Sequence, residues 1–94
     1  MGIGKTFKAL SDPTRREILD LLKKQKRTAG ELASHFDMTQ ATVSHHLSVL
    51  KEADLILDEK KGKYILYEIN TSVMDEIVEW ITTLKKEEKH DENE

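Results

Sequence analysis

Two short helical patterns separated by a two-residue turn constrain the fold of this chain more than any other feature. The first pattern begins at Thr28, since Thr28 and Glu31 have the spacing of a capping box. The turn begins at Asp37, because Asp adopts the left-handed backbone conformation more readily than most residues. The second pattern runs from Thr39 to about Ala53. The inward faces of the two helices consist of Leu32, Ala33 and Phe36, and of Val43, Leu47 and Leu50.

The segments on either side of this pair complete a small, mostly helical domain. Asp12 is predicted to cap a helix whose first residue is Pro13, a position that needs no amide hydrogen. Gly62, in the lysine-rich connection 59–63, predicts a hairpin between two apolar strands. In chain order, the flanking elements are a helix through Ile3, Phe7 and Leu10, a helix from about Pro13 to Lys24, strands from Leu55 to Asp58 and from Tyr64 to Ile69, and a helix from about Asn70 to Lys86. The predicted fold is mostly α with a β-hairpin wing, a winged helix-turn-helix with the order ααααββα.

Charge is divided unevenly along the chain. Residues 1–63 carry 12 Lys and Arg against 9 Asp and Glu, whereas residues 64–94 carry 3 against 9. Although the chain has 18 Asp and Glu in all, none occurs in the fourteen residues 38–51, which form most of the fourth predicted helix. A helix whose exposed face holds Gln, Thr, Ser and His without negative charge suits the electronegative major groove of DNA.

The fourth helix is therefore predicted to contact base edges, and the hairpin to contact the DNA backbone. Gln40 suits adenine, while Ala41 and the methyl group of Thr42 suit the methyl group of thymine. Ser44 suits either a base or a phosphate. Thr28, at a helix N-terminus, is predicted to direct its amide to a phosphate. The full set of predicted DNA contacts is Thr28, Thr39, Gln40, Ala41, Thr42, Ser44, His45, Ser48, Lys51, Lys60, Lys61 and Lys63.

Two pairs of adjacent residues need separate interpretation. His45 lies on the outer face of the fourth helix and is a predicted DNA contact, whereas His46 is predicted to pack beside the core. Neighbours on a helix point roughly 100° apart, so these two rings do not suit a shared metal ion. Arg15 and Arg16 have two alternative roles, a contact with phosphate or an ion pair with a nearby carboxylate.

Composition and motifs exclude several classes of protein. The chain has no cysteine, which excludes disulfides, thiolate metal sites and cysteine nucleophiles. No apolar run approaches the length of a membrane span and no signal-peptide core follows Met1, so we expect a cytoplasmic protein without membrane insertion. No nucleophile–base pair and no phosphate loop occurs, so we expect no enzyme. Residues 1–86 are predicted to form one DNA-binding and dimerisation domain, and residues 87–94 a disordered acidic tail.

The residues also carry a family resemblance, which spans about residues 5 to 84. Three segments closely resemble parts of the ArsR/SmtB-type transcriptional repressors, namely Leu10 to Leu22 at the start, Thr42 to Lys51 in the recognition helix, and Lys61 to Lys63 with Tyr64, Tyr67 and Ile69 in the wing. The resemblance implies a homodimer that binds a two-fold symmetric operator in double-stranded DNA and blocks transcription. The implied dimer interface lies on the first and last helices and consists of Ile3, Phe7, Leu10, Val73, Ile77, Trp80, Ile81 and Leu84.

Two departures from the family pattern affect this interpretation. Asp54 stands where the family usually has a glycine after the recognition helix. The family's metal sensors carry a cysteine pair in the third helix or a His/Asp set in the last, and the last helix here has no histidine. The chain therefore resembles most the metal-independent SdpR-like branch, whose members repress their own operons, and no metal or cofactor is expected.

Two alternatives stay open at this point. One is a repressor of the same fold that senses a metal or small molecule through His35, His90 or carboxylates. The other is a winged helix that binds another protein and does not bind DNA. A protein anti-repressor that removes the chain from its operator is a further open partner.

Overall fold

The computed structural model describes the backbone of residues 2–92 and the side chains of residues 2–85. Its elements, in chain order, are α1 (Ile3–Leu10), α2 (Pro13–Lys24), α3 (Ala29–Phe36), α4 (Gln40–Glu52), β1 (Ile56–Lys61), β2 (Tyr64–Ile69) and α5 (Thr71–Glu92). This is the predicted order ααααββα. Helices α3 and α4 are the predicted helix-turn-helix, and strands β1 and β2 form the wing.

Side chains at the helix starts fix where three of these helices begin. The Asp12 carboxylate accepts a hydrogen bond from the Arg15 amide at 3.0 Å, with proline at the first position of α2. Thr28 and Glu31 form both hydrogen bonds of the predicted capping box on α3. The Thr39 hydroxyl accepts from the Thr42 amide at 3.2 Å and caps α4. Each cap satisfies an amide that has no partner within its own helix.

Two aspartates supply the left-handed backbone that ends α3 and α4. Asp37 has φ 55° and ψ 43°, which confirms the predicted tight turn between the two helices. Asp54 has φ 59°, so it adopts the conformation for which the family usually has glycine. The Asn70 side-chain amide donates to the Asp54 carbonyl at 3.0 Å, which connects this turn to the start of α5.

The core forms around α4, whose apolar face is buried as the sequence predicts. Fully burying a side chain of the size of Leu50 contributes about 1.5–3 kcal/mol to folding. Phe36, which was expected to face inward, is only half-buried, as is Leu21 of α2. The largest fully buried side chains belong to Ile18, Leu32, Val43, Leu47, Leu50, Leu55 and Ile56, with Thr6 beside them.

The first strand of the wing is longer than predicted and begins one residue later. It runs from Ile56 to Lys61, and antiparallel pairing joins Ile56 to Ile69 at the base and Lys61 to Tyr64 at the tip. The connection is therefore a two-residue turn in which Gly62 has φ 61°, as tight hairpins require. The expected end at Asp58 was wrong because backbone pairing continues through charged residues whose side chains remain in water.

The end predicted for the last helix is also wrong. Helix α5 continues to Glu92, beyond the expected end near Lys86. Lys and Glu favour helix, and no glycine or proline stops it. The last two residues of the predicted tail lie outside the described residues, and the division into a 1–86 domain and an 87–94 tail stays a prediction. Within the described part of the chain, no helix is both long and apolar enough to cross a membrane.

Candidate nucleic-acid interface

The face of α4 opposite the core carries the residues predicted to contact bases. Burial of Val43, Leu47 and Leu50 fixes the rotation of the helix, because these side chains follow its 3.6-residue period. On the opposite face, Gln40, Ala41, Thr42, His45 and Ser48 are exposed and Ser44 is half-buried. The structure therefore brings the predicted base-contacting residues together on one solvent-facing surface without a carboxylate.

At the start of α4, two of the predicted contacts also stabilise the helix. The hydroxyl groups of Thr39 and Thr42 are 2.9 Å apart, and the Thr39 hydroxyl accepts the Thr42 amide. These hydroxyl groups are thus engaged with each other and with the helix backbone. The methyl group remains the feature of Thr42 that suits the predicted contact with thymine.

A groove of about 330 Å³ lies between the start of α3, the exposed face of α4 and the wing. It brings Gln40 and Ser44 next to Lys63 from the hairpin turn. The side chains of Tyr64, Ile65 and Tyr67 complete the wing side, and none of the three was among the predicted contacts, although Tyr64 and Tyr67 carried the wing resemblance. The complete lining is Thr28, Ala29, Gly30, Gln40, Ser44, Lys63, Tyr64, Ile65 and Tyr67.

The start of α3 forms the floor of this groove, but the Thr28 amide is not free. It donates to the Glu31 carboxylate at 2.8 Å, while the Thr28 hydroxyl accepts the Glu31 amide. The amides of Ala29 and Gly30, the first two residues of α3, have no acceptor within the helix. We therefore expect these two amides, and not the Thr28 amide, to contact a phosphate.

The three lysines of the wing do not form a single cluster. Side chains alternate between the faces of a strand, so Lys60 and Lys61 point to opposite faces of the hairpin. The Lys61 ammonium lies 3.7 Å from the Glu59 carboxylate. The Lys63 ammonium lies 5.7 Å from the centre of the Tyr64 ring, at the mouth of the groove. Lys63 is therefore the wing lysine nearest to the predicted base contacts in this arrangement.

Lys51 lies at the opposite end of α4 from Gln40. It is eleven positions after Gln40, or about 16 Å along the axis of α4. Its ammonium pairs with the Asp58 carboxylate of β1 at 2.7 Å, and this hydrogen bond raises the pKa of Lys51. A second pair, Lys26 with Glu68 at 3.0 Å, connects the other strand of the wing to the segment before α3.

In the described part of the chain, neither Arg15 nor Arg16 forms an ion pair with a carboxylate, one of the two roles that the sequence suggested, and their contact with phosphate stays a prediction. The Arg15 guanidinium donates to the carbonyls of Lys8 and Ala9 at 3.0 and 2.8 Å, and Arg16 donates to the Leu10 carbonyl at 2.7 Å. Both side chains therefore cap the C-terminal end of α1, whose last carbonyls have no partner within the helix.

Arg15 also explains the packing of His46. The His46 Nδ1 atom lies 3.3 Å from Arg15 Nη1, and the side chain is only 14% exposed. A guanidinium only donates, so Nδ1 is the acceptor in this contact. His46 is thus a packed, hydrogen-bonded residue, as predicted. Its partner was unpredictable, because Arg15 and His46 are distant in the sequence.

The predicted dimer interface divides into two groups. Val73 and Ile77 are buried within the protomer, each only 8% exposed, so they belong to its core. Leu10 is half-buried. The remaining residues are exposed and lie on α1 and α5, with the rings of Phe7 and Trp80 in edge contact at 6.0 Å. We name this surface the α1–α5 face, and its exposed apolar residues are Ile3, Phe7, Trp80, Ile81 and Leu84.

The histidines considered for sensing do not form a cluster in the described part of the chain. The His35 ring lies 3.2 Å from the Glu17 carboxylate on the surface. Among the described residues, no group of three His, Cys, Asp or Glu side chains is arranged to hold a metal ion. His90 lies outside the described side chains.

The chain is similar in sequence to known bacterial regulatory proteins. Residues 12–57 match the model of a family described as bacterial regulatory protein, arsR family. The transcriptional repressor SdpR of Bacillus subtilis (strain 168) is 51% identical to this chain over 75 residues. The matched segment covers 80% of this chain and 83% of that protein.

Two solved structures have a similar fold. An ArsR-like transcriptional regulator from Rhodococcus sp. RHA1 has a TM-score of 0.85 and 26% identity, over 94% of this chain and 81% of that one. A homodimeric winged helix-turn-helix DNA-binding domain from Mycobacterium bovis has a TM-score of 0.74 and 26% identity, over 90% and 79%. SdpR and the Rhodococcus protein are described as transcriptional regulators, and the Mycobacterium bovis domain is described as DNA-binding. The chain therefore belongs to the arsR family of bacterial regulatory proteins, and its winged helix-turn-helix is the fold of that family's transcriptional regulators.

Proposed function

We propose that this protein is a sequence-specific transcriptional repressor that binds a two-fold symmetric DNA operator as a homodimer. The observation that carries the proposal is the exposed, acid-free face of α4, which adjoins the groove beside the wing. Gln40 and Ser44 at this face read base edges in the major groove. Lys63 and the first amides of α3 contact the DNA backbone and supply affinity that depends on salt.

The α1–α5 face supports the dimer. Exposed aromatic and aliphatic side chains that adjoin one another mark interaction surfaces, because burying them removes apolar area from water. In the proposed dimer, a two-fold axis through this face pairs it with the same face of a second copy, and each copy presents one α4 helix to the DNA. The Mycobacterium bovis domain, with a TM-score of 0.74, is described as homodimeric, which supports a homodimer here. Successive major grooves are about 34 Å apart, which sets the separation of the two α4 helices on DNA.

The proposal is tested by separating base reading from general DNA affinity. A cognate duplex is selected from a random DNA pool with the wild-type protein, and a scrambled duplex of equal length serves as comparison. Gln40→Ala and Ser44→Ala are each expected to weaken cognate binding by about 1–3 kcal/mol and scrambled binding hardly at all. Ser34→Ala is the control, since Ser34 is exposed on α3 outside the groove. Equal losses on both duplexes would refute base reading by these residues.

The finer parts of the proposal concern the target gene and the signal. We propose that the protein represses its own promoter in the cytoplasm, where the chromosome lies, as the resemblance to the SdpR-like branch implies. A reporter driven by the DNA upstream of its own gene is expected to be silenced by the wild-type protein and not by Gln40→Ala. Release by a protein anti-repressor predicts that zinc and a chelator leave operator affinity unchanged, whereas metal sensing predicts a shift.

A further inference from the structure

We propose that Arg15 is a positioning residue that fixes α4 against the end of α1 and thereby sets the distance between the two recognition helices of the dimer. The inference rests on the proposed function, because it assumes that each α4 of a homodimer reads one half-site. Arg15 itself is not required to contact DNA. Its effect on recognition passes through the two helices that its guanidinium joins.

The first part of the argument is the contact with α1. Arg15 Nε donates to the Ala9 carbonyl at 2.8 Å, and Nη2 donates to the Lys8 carbonyl at 3.0 Å. A guanidinium is planar and rigid, so two hydrogen bonds to successive carbonyls fix its orientation as well as its position. Its positive charge also lies at the negative end of the α1 dipole.

The second part is the contact with α4. The remaining terminal nitrogen, Nη1, lies 3.3 Å from the Nδ1 atom of His46, a half-buried residue of α4. The backbone of Arg15 is held as well, because its amide donates to the Asp12 carboxylate at 3.0 Å. That carboxylate is 3.9 Å from the same His46 nitrogen. Arg15 therefore lies at the junction of α1, α2 and α4.

The third part concerns the surfaces to which α1 and α4 contribute. Helix α1 contributes Phe7 to the α1–α5 face, through which the dimer is proposed to form, and α4 carries Gln40 and Ser44. His46 is six residues after Gln40, about 9 Å along the helix axis. Among the side chains that the structure describes, Arg15 is the one that hydrogen-bonds to both α1 and α4. A change in the angle between α1 and α4 would move both recognition helices, because the two-fold axis of the dimer applies the same change to each copy.

Arg16 provides a matched control for this role. It lies one position later and donates to the Leu10 carbonyl at 2.7 Å, so it also caps α1. Arg16 forms no hydrogen bond or ion pair with α4 in the described part of the chain. Arg15→Met and Arg16→Met each remove a guanidinium and keep most of the aliphatic stem, so the two variants differ in the connection to α4.

The experiment measures how sharply the protein discriminates half-site spacing. The duplex selected by the wild-type protein is remade with one base pair removed or added between its half-sites, which shifts their separation by about 3.4 Å and rotates them by about 35°. Wild type and Arg16→Met are expected to bind both altered duplexes about tenfold or more weakly than the selected one, because one half-site is misplaced. For Arg15→Met, the ratio of the affinity for the selected duplex to the affinity for an altered duplex is expected to fall to about threefold or less. Because these are ratios within one variant, a smaller folded fraction does not change them.

Two variants of His46 separate the Arg15 contact from general packing. His46→Asn places an acceptor oxygen near the position of Nδ1 and is expected to keep the spacing discrimination. His46→Gln extends its acceptor one bond further and is expected to lose it, as Arg15→Met does. Asparagine and glutamine are both polar and neutral, so a difference between them reports the position of the acceptor.

Two outcomes would overturn the inference. One is that Arg15→Met retains the full spacing ratio of wild type, and the other is that His46→Asn and His46→Gln behave alike. A uniform loss of affinity at all three spacings for Arg15→Met belongs to the first outcome, and would indicate reduced stability or a lost phosphate contact instead. Failure of the wild-type protein to bind any duplex with two half-sites would overturn the proposed function as well, and this is observed before any variant is made.

Discussion

Single side chains at helix ends determine where the reading surface forms. Asp12, Thr28 and Thr39 each accept an amide at the start of a helix, and Asp37 turns the chain between α3 and α4. These interactions are local, so their geometry follows from a few consecutive residues. This is why the positions of the caps and of the turn could be predicted from the sequence.

The cap of α2 is expected to make part of the stability depend on pH. At neutral pH, Asp12→Ala should lower the free energy of unfolding by about 1 kcal/mol, the usual cost of losing such a cap. The hydrogen bond from the Arg15 amide lowers the pKa of Asp12 below its ordinary value of 3.8. The stabilisation that the ionised Asp12 cap provides is therefore complete above pH 3.8, and it is lost as the pH falls through the pKa of Asp12 in the folded protein.

Denaturant unfolding of both proteins over a pH series, at a fixed protein concentration, checks this prediction. The difference between wild type and Asp12→Ala should narrow in acid. Thr39→Ala, which removes a hydroxyl cap that does not titrate, should show a constant difference. A constant difference for Asp12→Ala as well would contradict a charged cap.

Gly30 allows stability and DNA affinity to be separated at one residue. A methyl group there would lie 3.6 Å from the Gln40 side-chain oxygen and 3.9 Å from the Thr28 hydroxyl, both ordinary contacts. Gly30→Ala should therefore raise the free energy of unfolding by about 0.5 kcal/mol, because alanine loses less backbone entropy. The same methyl group projects into the groove and should weaken DNA binding several-fold.

Gly4→Ala is the matched control, since Gly4 holds the equivalent second position of α1. A methyl group at Gly4 meets no atom within 4 Å. It should give a similar gain in thermal stability without loss of affinity for the cognate duplex. Unchanged affinity of Gly30→Ala would show that DNA does not approach the start of α3 closely.

At the scale of whole elements, the sequence predicted what depends on neighbouring residues and missed what depends on distant ones. Helices α2 and α3 have the predicted bounds because their caps and apolar periods are local. The end of β1 was wrong because strand length is set by pairing with β2. The role of Arg15 could not be predicted, since its acceptors on α1 and α4 become neighbours only after folding.

An ion pair also joins the wing to α4, and it predicts that two lysines contribute unequally to DNA affinity. Lys51 is already paired with Asp58 at 2.7 Å, whereas Lys63 lies at the groove. Removing a lysine that contacts phosphate reduces the salt dependence of DNA affinity by about one counterion. Lys63→Met is expected to produce this reduction, and Lys51→Met a clearly smaller one.

Titration of the cognate duplex at several salt concentrations gives the slope of log affinity against log salt for each variant. Asp58→Asn, which releases Lys51 from its pair, serves as the control for availability of the ammonium. An equal reduction for Lys51→Met and Lys63→Met would show that both ammonium groups contact DNA.

At the scale of the whole molecule, charge is divided between two parts of the chain. Residues 1–63, which include α4 and the first strand and turn of the wing, carry the surplus of Lys and Arg, whereas residues 64–94 carry the surplus of Asp and Glu. The acidic part includes α5, half of the α1–α5 face. This division favours an assembly in which α5 lies away from the DNA and the basic part lies against it.

The dimer predicts how a charge on the α1–α5 face would act. Leu84 is 59% exposed in the protomer, so Leu84→Glu should change the folding of one chain little. In the proposed dimer the same carboxylate would be buried without a partner, which is strongly unfavourable. The dissociation constant of the dimer should rise at least tenfold, and affinity for the two-half-site duplex should fall with it, since each chain would then hold only one half-site.

Thr82→Glu adds the same side chain two positions earlier, where helical geometry turns it about 200° from Leu84, to the opposite side of α5. It should dimerise and bind DNA as wild type does. Sedimentation equilibrium measures the dimer directly, and binding to a single half-site shows whether each α4 still reads its bases. If Leu84→Glu keeps the dimer intact, the two copies associate through another surface. If it separates the dimer but also abolishes half-site binding, the charge has disturbed the protomer instead. Loss of the dimer with half-site binding retained is the combination that assigns assembly to the α1–α5 face and base reading to α4.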